Sequence, residues 1–271
     1  MKNEFFRGLW VVAFREWMRL LRDRPRMISS VAMPLFFFGI IGAGFSRSIG
    51  TLAPGVDFVQ FLFPGIIAQT VFMTSIFSGL SVVWDREFGF LKELLVAPIS
   101  RFGIVCGKVI GGASLAVLQA LAMMLLAPLV GVPLTAPLLA RLIPLLVLVS
   151  VAVSSLGILI ASRMRSQQGF QLLMQLLILP MIVLSGAFFP LGKVPEWLGA
   201  LAMLNPFTYG VDSLRQAFLA SLPMAQTGGA GSPLTLVVLG HAMTLWDDAI
   251  IVAAFGAALL AAALWAFTRE Q

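Results

Sequence analysis

Charged residues are scarce in this 271-residue chain: Asp, Glu, Lys and Arg make up only 11% of it, whereas 59% of the residues are apolar. Soluble domains average about a quarter charged residues and about half apolar ones. Together with a mean hydropathy of +0.99, this composition excludes an ordinary soluble domain. Because a membrane-spanning helix needs about 20 mostly apolar residues, the length allows several spans in one integral membrane domain.

Cysteine and histidine each occur once. The single Cys106 excludes an internal disulfide framework, and its place near the start of a predicted span favours an inert, small apolar role. His241 falls in a predicted outer loop, where we expect a loop residue rather than a ligand or base. We therefore expect no metal site in this chain.

A nucleotide-binding motif is also missing. The nearest approach to a P-loop is Gly103 to Val109, but only three residues separate Gly103 from Gly107 where the motif requires four. Val109 follows Lys108 where a Ser or Thr should bind magnesium. We expect no cofactor on this chain.

Ionisable side chains are absent from the core of the predicted spans, provided that Lys108 lies near the cytosolic end of its span. Ion-coupled carriers keep buried Asp, Glu or His as ligands for the coupling ion, and many ion channels carry rings of charge. The sequence therefore argues against both classes, although an ion-coupled carrier stays open as an alternative.

An intramembrane hydrolase is a second alternative. Residues Gly79 to Val82 match the loose GxSx pattern of intramembrane serine proteases, with Ser81 as the nucleophile. This chemistry needs a base beside the hydroxyl, usually histidine. His241 is predicted on the opposite side of the membrane, so a packing role for Ser81 is favoured.

The hydropathy pattern predicts an all-α integral membrane fold with six transmembrane helices. An amphipathic helix over 4–24, with Trp and Phe opposite Arg, is predicted to lie in the membrane interface; a soluble helix packed on a partner is the alternative. Within an extracytoplasmic segment at 190–248, two short apolar pieces predict re-entrant or interfacial helices. The predicted spans are 27–45, 58–83, 102–130, 142–161, 170–189 and 249–267, and the short pieces are 198–204 and 214–222.

Basic residues are distributed unequally between the two sides of this topology. Of the 18 Lys and Arg residues, only Arg47, Arg141, Lys193 and Arg215 fall on the side away from the N terminus. By the positive-inside rule, both termini are cytoplasmic, in an inner or plasma membrane. The net charge of +6 is thus topological and requires no nucleic acid.

A charged island, Trp84 to Arg101, separates two long apolar runs. Its spacing predicts an amphipathic helix over 85–96, ended by Pro98, that either lies on the lipid surface or docks into a partner. A solvated loop is the alternative. The predicted apolar side holds Phe88, Leu91, Leu94 and Leu95, and the charged side holds Asp85, Arg86, Lys92 and Glu93.

The island resembles the cytoplasmic loop of ABC-2-type permeases, the membrane subunits of a class of ATP-binding-cassette exporters. The resemblance rests on Asp85 to Gly89, Leu91 to Leu95, Ala97 to Arg101 and Gly107-Lys108. A second block, Phe188-Phe189-Pro190 with Pro195, Trp197 and Asn205 to Tyr209, resembles the segment that precedes the last span in this family. Two separate blocks in the right order make the resemblance specific, and it covers nearly the whole chain.

The resemblance implies two copies of this chain in a homodimer, embedded in membrane lipid. It also implies two separately encoded ABC ATPase subunits, on which ATP and magnesium bind. A coupling helix would contact them, and an apolar constriction would close the outer end of the pathway as an outer gate. The implied coupling residues are Asp85, Arg86, Glu87, Phe88, Gly89, Leu91, Lys92, Glu93, Leu94 and Leu95, and the implied outer gate is Phe188, Phe189 and Pro190.

Two rows of uncharged polar residues occur in the second and fifth spans, which border the route between subunits in this family. On spacing alone, such rows either bridge helices or line a cavity. The resemblance favours lining of the pathway by Gln69, Thr70, Thr74, Ser78, Gln168, Gln171 and Gln175.

The cargo is predicted from the island, whose sequence is most similar to that of drug- or antibiotic-exporting members. This similarity favours multidrug efflux, with an amphiphilic small molecule leaving the cytoplasm or inner leaflet by alternating access. Export of a polysaccharide or a lipid-linked glycan by the same architecture is the alternative.

Overall fold

Helices make up nearly all of the computed structural model, which describes residues 2–22, 24–53, 56–90, 100–222, 234–238 and 240–269. Within those ranges, six stretches are long and apolar enough to cross a membrane, which confirms the predicted all-α membrane fold. The helices are α1 (Lys2–Arg22), α2 (Arg24–Ile49), α3 (Phe58–Phe77), α4 (Leu80–Glu87), α5 (Arg101–Met124), α6 (Ala136–Arg163), α7 (Gln167–Leu184), α8 (Glu196–Leu204), α9 (Pro206–Leu219) and α10 (Leu245–Arg269).

Short elements join these helices. Two 3-10 turns follow α5 and α7, and two antiparallel hairpins precede α3 and α10. The six candidate spans are α2, α3 with α4, α5, α6, α7 and α10. The connecting elements are 3-10 turns at Ala127–Val130 and Leu191–Lys193, strands β1 (Thr51–Ala53) and β2 (Val56–Asp57), and strands β3 (Val237–Val238) and β4 (His241–Ala242).

The fourth span begins earlier than the predicted Leu142. Thr135 caps α6 by accepting a hydrogen bond from the backbone N–H of Leu138, and Pro137 lies in the first turn. Proline is tolerated there because the first N–H groups of a helix have no acceptor within it. Pro137 is therefore part of the helix.

The second span crosses the fourth at two glycines. A Cβ on Gly79 would lie 2.2 Å from the carbonyl oxygen of Gly157, and a Cβ on Gly157 would lie 2.2 Å from that of Ile76. The helix is interrupted at this crossing, between α3 and α4. The two spans are therefore in backbone contact, as small residues allow in membrane helices.

Helix α1 packs along the third span. Gly103, Gly107 and Gly111 of α5 face it, and a Cβ on Gly107 would lie 2.8 Å from the carbonyl oxygen of Leu9. Val12 is consequently buried, with 1% of its surface exposed. The opposite face of α1 is apolar and exposed, as expected of a helix in the membrane interface, and it carries Phe6, Trp10 and Phe14.

The short helices α8 and α9 lie between the fifth and last spans. Asn205 caps α9 by accepting from the N–H of Phe207, and its side-chain amide donates to the carbonyl of Met181 at 2.7 Å. The hydroxyl of Thr208 donates to the carbonyl of Ala202 at 2.7 Å and lies 3.4 Å from the carbonyl of Leu184, the last residue of α7. Helix α9 therefore provides hydrogen bonds for the end of the fifth span, whose carbonyls have no partner within their own helix.

We expect Gly157→Ala to destabilise the fold, because its methyl group would overlap the backbone of Ile76 and force the second and fourth spans apart. The measurement is the thermal unfolding midpoint of the purified chain in detergent. Gly44→Ala is the matched control, because nothing lies within 4 Å of a Cβ at that position. Equal midpoints for the two variants would contradict this account of the crossing.

Candidate transport pathway and coupling region

The structure divides the predicted coupling segment. Residues Asp85 to Glu87 form the last turn of α4 and thus continue the second span. The helix ends at Phe88, and Gly89 turns the chain with a φ of +79°, a conformation that favours glycine. A single helix over 85–96 is therefore wrong. The remaining predicted residues, Leu91, Lys92, Glu93, Leu94 and Leu95, lie outside the described residues.

Asp85 belongs to a buried ionic cluster. Its Oδ2 atom accepts from Nζ of Lys108 at 2.7 Å and from Nη2 of Arg15 at 2.6 Å. Lys108, whose side chain is 0% exposed, also donates to Ser81 at 2.9 Å. Oε1 of Glu16 lies 3.5 Å from Lys108 and 3.4 Å from Arg15. The ionic cluster, Arg15, Glu16, Asp85 and Lys108, is balanced in charge and joins α1, α4 and α5.

On the sequence pattern alone, Lys108 is placed near the cytosolic end of its span and Asp248 just outside the last predicted span, whereas the helices of the structure include both residues. Lys108 lies two turns into α5, and Asp248 lies in the first turn of α10; both are buried. A charge at membrane depth needs a compensating partner. Lys108 obtains one from Asp85, on another helix, which the pattern of one span cannot reveal. The sequence argument against an ion-coupled carrier therefore loses its premise.

Arg86 and Glu87 hold the connection between the fourth and fifth spans. The guanidinium of Arg86 donates to the carbonyl of Met164 at 2.6 Å and to that of Ser162 at 2.9 Å. Oε2 of Glu87 accepts from the backbone N–H of Gln167, the first residue of α7, at 3.2 Å. These bonds tie the second span to other parts of the same chain, so the two side chains are not simply presented to a partner.

The basic face of α1 also contacts the second span. The guanidinium of Arg19 lies 4.1 Å from the ring centre of Trp84, and that of Arg15 lies 4.9 Å from that of Phe90. Both are cation–π contacts. Helix α1 is thus packed on its own chain along its basic face, while its apolar face is exposed.

A cavity of about 730 Å³ opens beside α2. Met33 and Phe37 of α2 are 58% and 44% exposed at its edge. The structure places all four predicted second-span residues, Gln69, Thr70, Thr74 and Ser78, on its wall, with apolar side chains between them. The residues of the ionic cluster and its neighbours that reach the cavity are Glu16, Arg19, Ser81 and Trp84.

A hydrogen-bonded bridge crosses the back of the cavity, and the sequence reasoning missed it. Thr74 of α3 bonds to the side chain of Gln119 in α5, and Gln119 donates to Ser30 of α2 at 2.7 Å. The sequence offered one indication of this bridge, because Gln119 is a single amide in an otherwise apolar stretch. The bridge links the first three spans at the cavity wall.

The predicted fifth-span row does not reach this cavity. Gln168, Gln171 and Gln175 are exposed on α7, whereas Phe170 and Met174 face the protein. Within one chain, the two predicted rows are therefore not brought together. Lining of a pathway by the fifth-span row stays a prediction about an assembly.

The predicted outer gate follows the fifth span in a turn at 185–190. Phe188, Phe189 and Pro190 are partly buried there. A Cβ on Gly65 would lie 2.1 Å from the carbonyl oxygen of Ala187, so the turn touches the backbone of the second span. The turn thus lies at the end of the bundle away from the ionic cluster.

Within the described part of the chain, the structure places no histidine beside Ser81. Its hydroxyl donates to the carbonyl of Ser78, and its one close titratable neighbour among the described residues is Lys108. Lys108 is also held by Asp85 at 2.7 Å, as part of the ionic cluster. His241 lies in the β3–β4 hairpin, 3.4 Å from Asp247.

We expect Lys108→Met to destabilise the chain by about 3–5 kcal/mol, because it removes one of the two cations that compensate for the buried charge of Asp85. Arg163→Gln, at an exposed position, is the control. The free energy of unfolding in detergent is the measurement, and adding Asp85→Leu should restore part of the loss. A loss that is additive over the two substitutions would contradict a direct coupling between them.

Comparison with known proteins agrees with this architecture. The chain matches the family described as ABC-2 type transporter over residues 7–219. It is 32% identical over 217 residues to a protein named transport permease ycf38 from Cyanophora paradoxa, covering 78% of this chain and 74% of that protein. It is 30% identical over 173 residues to a protein named multidrug ABC transporter permease YbhR from Escherichia coli strain K12, covering 61% and 45%. Nodulation protein J of Rhizobium leguminosarum bv. viciae is 26% identical over 195 residues, covering 71% and 74%. This chain therefore belongs to the ABC-2 type transporter family, and it is the membrane subunit of an ABC transporter.

Proposed function

We propose that this chain is the permease of an exporter that moves an amphiphilic small molecule out of the cytoplasm or the inner leaflet. Two ABC ATPase subunits, which bind ATP and magnesium, supply the energy, and the permease itself binds no nucleotide. The observation that carries the proposal is that the second span holds both the cavity wall and the ionic cluster. The similarity to a multidrug permease supports this cargo class.

The cavity suits a single amphiphile. Its volume of about 730 Å³ lies within the range of about 300–1,000 Å³ that is typical of small-molecule sites. Met33, Phe37, Met73 and Phe77 offer an apolar surface, and the polar row on α3 offers hydrogen bonds. Export of a glycan is the alternative, and transport assays that compare a defined amphiphile with a defined glycan would distinguish the two.

The second span transmits force from the ATPases. In the proposed orientation, both termini and the ionic cluster are cytoplasmic, in agreement with the distribution of Lys and Arg. An ATPase that pushes on the segment after Gly89 would move α4. Because Asp85 binds α1 and α5, and Arg86 binds the connection before α7, this movement reaches three other parts of the bundle.

A second copy of the chain completes the pathway. Helix α7 buries only a narrow stripe and exposes a continuous apolar one, in which Leu172, Leu176 and Leu179 are 61%, 71% and 68% exposed. The fifth-span glutamines Gln171 and Gln175 lie beside this stripe. A homodimer through α7 would cover the leucines and bring the glutamine row to the shared route, with no nucleic acid involved.

We expect ATP-dependent transport only when the permease and its ATPase are reconstituted together in vesicles. In this system, Arg86→Gln should reduce transport per ATP hydrolysed by about tenfold, because its charged hydrogen bonds to the carbonyls of Ser162 and Met164, at the end of α6, are lost. Arg163→Gln is the control, since Arg163 is exposed. Transport by the permease alone, or collapse of transport with the ion gradient, would overturn the proposed function.

We expect Met73→Trp to block transport, because the larger side chain fills the cavity. Basal ATP hydrolysis by the assembled complex should persist, since the ionic cluster is untouched. Leu118→Trp is the matched control, because Leu118 is 39% exposed and does not line the cavity. Undiminished transport by Met73→Trp would show that the cargo takes another route.

A further inference from the structure

A second buried charged cluster lies at the far end of the bundle from the ionic cluster. Asp212 and Arg215 of α9 are each 4% exposed, and Asp248 of α10 is 0% exposed. The side-chain amide nitrogen of Gln216 lies 2.7 Å from Oδ2 of Asp212 and 3.0 Å from Oδ2 of Asp248, so it bridges the two carboxylates. We call these four residues the carboxylate cluster.

Arg215 connects the carboxylate cluster to the 185–190 turn. Its Nη2 donates to the carbonyl of Gly186 at 2.7 Å and to that of Ala187 at 3.4 Å. Its guanidinium lies 3.9 Å from the ring centre of Phe61 in the second span. The turn is therefore clamped between α9 and α3, immediately before Phe188.

The charges of the carboxylate cluster do not balance if both carboxylates are ionised. Two negative groups would then face one guanidinium in a site from which water is largely excluded, and such pairs retain a proton. Asp212 accepts from the backbone N–H of Leu236 at 3.3 Å, which favours its charged form. Asp248 has one oxygen, Oδ1, without a hydrogen-bond partner among the described residues. The retained proton is therefore better placed on Asp248.

The other titratable groups near the carboxylate cluster do not supply the missing charge. Tyr209 donates its hydroxyl proton to the carbonyl of Met203 at 2.9 Å. Asp247 and His241 lie 3.4 Å apart in an exposed pair beside the β3–β4 hairpin. Among the described residues, the charge of Arg215 acts on Asp212, whereas Asp248 faces the negative charges of Asp212 and Asp247.

The pKa values of the α9 groups agree with this assignment. Burial raises the pKa of Asp212, while the nearby charge of Arg215 and the hydrogen bonds from Gln216 and Leu236 oppose that rise. Burial lowers the pKa of Arg215 to about 10, and the charge of Asp212 opposes this fall. The guanidinium therefore remains charged at neutral pH and keeps its bonds to the turn.

We propose that Arg215 is the positioning residue of the outer gate and that Asp248 carries one proton, which keeps the carboxylate cluster neutral. The description of the 185–190 turn as a gate rests on the proposed function. The clamp itself does not, because it is present in the permease alone. Loss of the proton leaves a net negative charge in the buried site and draws Arg215 away from the carbonyls of the turn.

The test measures access to the turn in purified permease in lipid nanodiscs, without an ATPase or a cargo. In a Cys106→Ser background, Ser185→Cys places a single thiol in the turn itself, at a position that is only 1% exposed while the turn is closed. The rate of labelling by a membrane-impermeant maleimide reports how far the turn opens. Thr51→Cys, in the exposed strand β1, corrects for the effect of pH on the reagent.

At neutral pH, Arg215→Lys and Asp212→Asn should raise the labelling rate about tenfold or more, because charge-assisted bonds to the turn are lost or weakened. Asp248→Asn should leave the rate within about twofold, because an amide resembles the neutral acid. Between pH 7 and 9, labelling should rise in the unsubstituted chain but not in Asp248→Asn.

The outcomes separate the two parts of the proposal. If Arg215→Lys leaves labelling unchanged, the clamp is wrong; if Asp248→Asn opens the turn as Asp212→Asn does, the proton is wrongly placed. Should Asp212→Asn fail to fold, the flat pH response of Asp248→Asn still decides where the proton lies. A chain that passes these tests but shows no ATP-dependent transport would overturn the proposed function and leave the clamp intact.

Discussion

The ion pair between Lys108 and Asp85 is the contact on which the rest of the bundle depends. A fully buried ammonium group in a membrane domain is tolerated only if a carboxylate compensates for the water it has lost. Here Asp85 binds two cations, since Arg15 contacts the same oxygen atom, and Glu16 lies within 3.5 Å of both, which balances the charge. Separating α1, α4 and α5 would expose unpaired charges, so these helices are expected to move as one body.

This constraint gives the cavity its proposed mechanical role. The wall that carries Thr70, Thr74 and Ser78 is continuous with α4, which carries Asp85. The bridge from Thr74 through Gln119 to Ser30 ties the first span to the same body. A displacement of α4 would therefore also move the cavity wall on α3.

The far end of the second span has a corresponding attachment. Phe61 supports Arg215, and Gly65 contacts the 185–190 turn directly. One helix pair, α3 with α4, therefore contacts the ionic cluster, the cavity and the proposed gate. In the proposed alternating-access cycle, small shifts of α3 and α4 against their neighbours would act on all three places.

Much of this architecture was predictable from sequence, because long apolar runs report membrane spans and an i, i+4 spacing places Thr70, Thr74 and Ser78 on one face. Contacts between helices were not predictable. The burial of Lys108 and Asp248 could not be read from their own spans because their partners come from other helices. The predicted helix over 85–96 failed because glycine's positive φ at position 89 overrides the amphipathic pattern around it.

The measurement that tests the central claim most directly is the number of cargo molecules transported per ATP hydrolysed, in the reconstituted complex carrying Asp85→Asn. Asparagine keeps the shape of the side chain but removes the charge that holds Arg15 and Lys108 together. The account predicts continued ATP hydrolysis with a strongly reduced transport ratio. An unchanged ratio, with the complex intact and hydrolysis at its normal rate, would contradict it.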